Sequence, residues 1–168
     1  MERTLGFLAD YADDEFDGSS YNGASLMATL SSLDAGQAAA DSSYEGYSAW
    51  SVALHVAYCK WGIADALLSE AGRAELGPYP YPKGRGGFSP PTDAGASAWA
   101  DFQAYLSGLH RTTMRAIRES DDRVFDLEFA AWKIPMGKAI VWLCGHDSYH
   151  NAQIRSMGLA SLRGDRAY

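Results

Sequence analysis

Apolar positions along this chain recur at steps of three and four residues, and that period predicts helices. Leu5, Leu8 and Tyr11 set a first helix over 1–11, which the acidic, Ser- and Gly-rich stretch "DDEFDGSSYNG" interrupts. "ASLMATLSSL" resumes the period with Leu26, Leu30 and Leu33, giving one broken helix or two short ones, and Asp34, Ala35 and Gly36 end it. From Tyr47 to about Leu68 a proline-free run places Val52, His55, Cys59, Ile63, Ala66 and Leu67 on one face, which predicts a long, largely buried helix. Residues 72–96 hold all but one of the prolines and a third of the glycines, so neither helix nor central strand is expected there. A loop of that length is usually a lid, a binding loop or disordered. Tyr79, Tyr81 and Phe88 within it argue against disorder and suit either the mouth of a site or the padding of a bundle end.

"SAWADFQAYLSGLHRTTMRAIRES" reads as a third helix with Trp99, Phe102, Leu106, Leu109, Thr113 and Ile117 in its core stripe, closed by Ser120 and two aspartates. "DRVFDLEFAAWKI" is a connection that could be extended but is too short to build a sheet. Pro135 suits the first turn of a last helix running to Leu162, with Ala139, Leu143, His146, His150, Gln153 and Met157 on one face. The expected fold is therefore all-α: one domain over 1–168, a four-helix bundle with a long Gly/Pro-rich loop between helices 2 and 3.

Composition narrows the class. Apolar residues make up 47% and charged residues 21%, as in folded globular proteins, and a net charge of −7 disfavours nucleic acid as the main partner. No stretch approaches the roughly 20 apolar residues of a membrane helix, and the opening "MERTLGFLADYADDEF" lacks an apolar run of signal-peptide length. Cys59 and Cys144 lie in apolar helical segments rather than a spaced framework, which fits a reducing cytoplasm.

Two of the four histidines fall in "GHDSYHNAQI". Residues i and i+4 of a helix sit about 5–6 Å apart at Cβ, so His146 and His150 can aim two imidazoles at one ion. Both lie on the apolar stripe, where each brings a polar nitrogen into the core that needs a partner. His55 occupies the same situation on the second helix, and a third imidazole from a facing helix would complete a three-histidine site. The plainer reading is three core histidines, each bonded to a carbonyl or hydroxyl. Gln153 and Tyr58, each three residues after a histidine, are candidates to orient a ligand or substrate. Cys59 could be a fourth ligand or a reactive thiol, with packing the commoner role, and Cys144 is expected to pack. His110 has no chelating neighbour and is expected at a surface or flanking position; Asp147 and Tyr149 are expected at helix contacts or a dimer surface. The chain has no Gly-x-Ser-x-Gly elbow, no phosphate loop and no carboxylate-rich helices of a di-iron bundle.

"YNGASLMATLSSL", the "YSAWSVALHVAYCKW" helix and "HDSYHNAQI" together resemble the DinB/YfiT-like superfamily, whose members are four-helix bundles with a three-histidine divalent metal site. The resemblance covers most of the chain and places the metal ligands on His55, His146 and His150. Asn151 and Ala152 depart from the Arg-Gly or Ala-Gly that relatives often carry before the Gln. It implies zinc or nickel, with iron or manganese also compatible, a small-molecule substrate, and a homodimer. Characterised relatives include thiol S-transferases and a mycothiol-dependent isomerase, so the expected activity is metal-dependent thiol transfer of the bacillithiol or mycothiol type, with a low-molecular-weight thiol as cosubstrate, or a related hydrolysis. The alternative is a non-catalytic bundle in which the metal staples helices for binding or oligomerisation.

Overall fold

The computed structural model describes residues 2–41 and 46–162. Met1, the expected start of the first helix, lies outside them. The described residues form seven α-helices, α1 (Glu2–Phe16), α2 (Leu26–Ser31), α3 (Ala35–Ala39), α4 (Ala49–Leu67), α5 (Glu70–Leu76), α6 (Ala96–Glu119) and α7 (Met136–Arg155). A hairpin of two-residue strands, β1 (Glu128–Phe129) and antiparallel β2 (Ile134–Pro135), accompanies them. The fold is mostly helical. The four long helices pack in a cycle, α4 against α6 and α7, and α1 against α6 and α7.

Several boundaries differ from those the sequence predicts, each for a local reason. The first helix does not stop before "DDEF": Ala12 and Phe16 continue the stripe of Leu5 and Ala9, and burying all four carries the helix through three acidic residues. Asp34 begins a helix rather than ending one. Its carboxylate accepts from the Gln37 amide at 2.8 Å while the Gln37 side chain accepts from the Asp34 amide at 3.0 Å, a reciprocal cap that starts α3. Ser48 caps α4 and Ser69 caps α5, so the first five residues of the expected loop are helical and the irregular stretch starts at Gly77. The last helix stops at Arg155, not Leu162, and Ala160–Leu162 form a separate 3₁₀ turn. Ala66, expected on the buried stripe of α4, is exposed; the other stripe residues of α4, α6 and α7 are buried or half-buried.

Two apolar clusters fill the interior. One gathers Leu30, Trp50, Leu54, Trp99, Phe102 and Leu106; the other gathers Leu5, Ile63, Met114, Ile117, Ile140 and Leu143. Along each long helix the first cluster gives way to the second at a polar position: Glu15 on α1, Lys60 on α4, His110 on α6 and Asp147 on α7 are all buried. The interior is thus two oily cores separated by a polar layer.

Candidate metal centre

His55 projects from α4, and His146 and His150 from one face of α7. His146 Nε2 lies 3.1 Å from His55 Nε2 and 2.9 Å from His150 Nε2, so three ring nitrogens converge. His146 and His150 are buried, and His55 is half-buried.

The outer nitrogens fix what the inner ones present. His55 Nδ1–H donates to the Gly86 carbonyl at 2.5 Å, and His150 Nδ1–H donates to Gln153 Oε1 at 2.8 Å. Each ring is neutral with a bare Nε2 lone pair aimed at His146. A proton on His146 Nε2 can serve only one of them, and His146 Nδ1 is buried with no partner among the described residues. Protonating the trio is no remedy. Burial pushes all three imidazoles below their ordinary values, helped at His146 by His150, His55 and Lys60, and His150 falls to about 4.

A cation at the convergence would resolve the conflict. An ion bonded to three imidazole nitrogens at about 2.0–2.1 Å with near-tetrahedral angles needs them about 3.3 Å apart. Two of the three separations, 3.1 and 2.9 Å, come within a few tenths of an ångström of that value, and all three nitrogens lie within 4.8 Å of one another. The donor set fits a divalent ion such as zinc or nickel.

The loop after α5 completes the surroundings of His55. Gly86 and Gly87 adopt φ of +65° and +87°, a left-handed pair that bends the chain back onto α4, and a Cβ at Gly87 would lie 2.7 Å from the Tyr58 ring. The bend aims the Gly86 carbonyl at His55 and lays the Phe88 ring on its imidazole, with centroids 4.0 Å apart. The three loop aromatics divide their roles. Phe88 borders the site, whereas Tyr79 is buried with its hydroxyl on the Leu54 carbonyl, and Tyr81 packs on Phe102 and Tyr105. Tyr58 is half-buried against Gly87, Trp61 and Tyr79.

Cys59 Sγ lies 3.7 and 3.9 Å from the His55 ring nitrogens, and burial, with Asp147 adding to it against Lys60, pushes the thiol up to about 12. Burial likewise pushes Cys144 up to about 11. Both are packed as uncharged thiols.

His110 is not at the surface. It is buried, stacked on Phe16 with centroids 3.8 Å apart, and donates from Nε2 to Asp13 at 2.9 Å. Phe16 carries α1 far enough to cover it, which a helix ending at Tyr11 could not do. Asp147 likewise faces inward: its carboxylate meets Lys60 Nζ at 2.7 Å with both side chains fully buried. This ion pair joins the two helices that carry the histidines. Its only sequence trace is that Asp147 follows His146 and Lys60 follows His55 by five residues. Tyr149 is exposed.

A cleft of about 640 Å³ opens against the three histidines, with Phe88, Trp142, Tyr149 and Gln153 in its walls. No helix among the described residues is long and apolar enough to cross a membrane. Compared with known proteins, the chain matches no family model, no curated protein and no solved structure.

Proposed function

We propose that α1, α4, α6 and α7 form a four-helix bundle of the DinB/YfiT-like type, a divalent-metal-dependent enzyme that catalyses thiol transfer of the bacillithiol or mycothiol kind or a related hydrolysis. The observation that carries this reading is the convergence of three Nε2 atoms whose partner nitrogens are already engaged at His55 and His150. A bound divalent ion supplies Lewis acidity, which lowers the pKa of a thiol or water at an open coordination position.

The chain's own residues prepare that position. The Gly86 carbonyl and Gln153 Oε1 hold protons on Nδ1 and so keep the ligand nitrogens bare. Phe88 shields His55 from water on one side, and the cleft leaves the other side of the trio accessible to a small molecule. Three neutral ligands preserve the full charge of the ion, the arrangement of catalytic rather than structural sites. The Lys60–Asp147 pair already ties α4 to α7, so a metal has no need to staple them. A homodimer in a reducing cytoplasm, with a small-molecule substrate, belongs to the same reading.

Elemental analysis of protein purified without a His tag tests it. Near one equivalent of zinc or nickel is expected, lost in His150→Ala, and the loaded protein should accelerate the loss of free thiol in the presence of an electrophile. A wild-type protein that neither contains nor takes up zinc, nickel, iron or manganese would refute the metal assignment.

A further inference from the structure

Among the described residues, none that lines the cleft beside the histidines is charged. Phe88, Val141, Trp142, Gly145, Tyr149 and Gln153 form its walls with the three imidazoles, and no Lys, Arg, Asp or Glu is among them. Its volume of about 640 Å³ lies in the range of small-molecule sites.

Gly145 is the second observation. It sits inside α7, where glycine is the least favourable residue after proline, yet a Cβ built on it would meet nothing within 4 Å. Packing against the rest of the protein does not require a glycine. What its missing side chain leaves is space on the cleft wall, flanked three residues before by Trp142 and four after by Tyr149, both exposed at 40% and 67%. The Trp142 ring lies 4.1 Å from that of His146, and the Tyr149 ring 4.9 Å from that of His150. A planar group over Gly145 would therefore have aromatic flanks and the imidazoles within reach.

We propose that this cleft binds a substrate with a flat apolar ring, seated over Gly145 between Trp142 and Tyr149, and with a metal-seeking heteroatom directed at the three histidines. The proposal rests on the metal reading above and adds the substrate class.

Imidazole and 4-phenylimidazole are the probes, titrated into cobalt(II)-loaded protein and followed by the visible absorption of the ion. The phenyl ring is expected to tighten binding about tenfold or more. In Gly145→Leu the advantage of 4-phenylimidazole over imidazole should disappear, while the variant melts no lower than wild type because leucine favours the helix. Equal affinities for the two probes in the wild type, or an advantage that survives Gly145→Leu, would overturn the proposal. So would a dimer that Gly145→Leu splits into monomers while the phenyl ring adds nothing, since a second copy would then cover the cleft. Protein that develops no cobalt band fails at the earlier step and takes the metal reading down with it.

Discussion

His110 and His150 carry the same imidazole into the same interior and end with different partners. His110 gives one proton to Asp13 and stacks on Phe16; His150 gives one to Gln153 and turns its bare nitrogen toward two other imidazoles. The second role was legible in the sequence, because His146 and His150 share a turn and a face, whereas Asp13 is 97 residues from His110. Gln153→Leu keeps the bulk and strands His150 Nδ1–H. Zinc affinity, measured by chelator competition, should fall about 10- to 100-fold, and Gln153→Glu, which keeps the acceptor, should restore it. Asp147 was expected at a helix contact or a dimer surface and lies at a helix contact, but its pairing with Lys60 was invisible for the same reason as the Asp13 contact: the partner is not known until the facing helix is. Lys60→Met leaves a carboxylate buried without its cation and should cost about 3–5 kcal/mol in chemical denaturation, while Lys60→Met with Asp147→Leu should recover most of the loss.

Elements were legible where the apolar period ran unbroken. The stripes of α4, α6 and α7 follow directly from Val52 to Ile63, Trp99 to Ile117 and Ala139 to Gln153. Ends were harder, because acidic and small residues that usually break a helix here cap one or lie on its far side. Glu15 shows why α1 continues past its aspartates. Its carboxylate accepts from Ser20 Oγ at 2.9 Å, the Tyr21 amide at 3.0 Å and Ser148 Oγ at 2.6 Å, tying α1 to the following turn and to α7. Burial alone would raise its pKa, but these hydrogen bonds outweigh it and hold the group below its ordinary 4.5. A depressed folded-state pKa gives stability that is present above the ordinary value and lost as pH falls through the folded one. The stability difference between wild type and Glu15→Gln should therefore be largest near neutrality and shrink below about pH 4.5, read from urea midpoints across pH. A difference that does not change with pH would contradict this role. The Gly86 carbonyl that orients His55 could not be read from side chains at all.

At the scale of the molecule, the polar layer between the two apolar cores sets where chemistry can occur. Glu15, Lys60, His110 and Asp147 hold the four long helices in register at that level, and the histidine trio lies at its edge, where α4 and α7 meet the loop carrying Phe88. Apolar periodicity predicts each of the four long helices but not which side chains meet between them, so the layer emerges only when the helices are assembled. We propose that at this edge His55, His146 and His150 hold one divalent ion through nitrogen. X-ray absorption at the zinc edge of the zinc-loaded protein tests it most directly. Three imidazole nitrogens at about 2.0–2.1 Å are expected, with a further light-atom ligand and no sulfur. A sulfur shell near 2.3 Å would bring Cys59 into the site, and a spectrum indistinguishable from hydrated zinc would contradict the centre altogether.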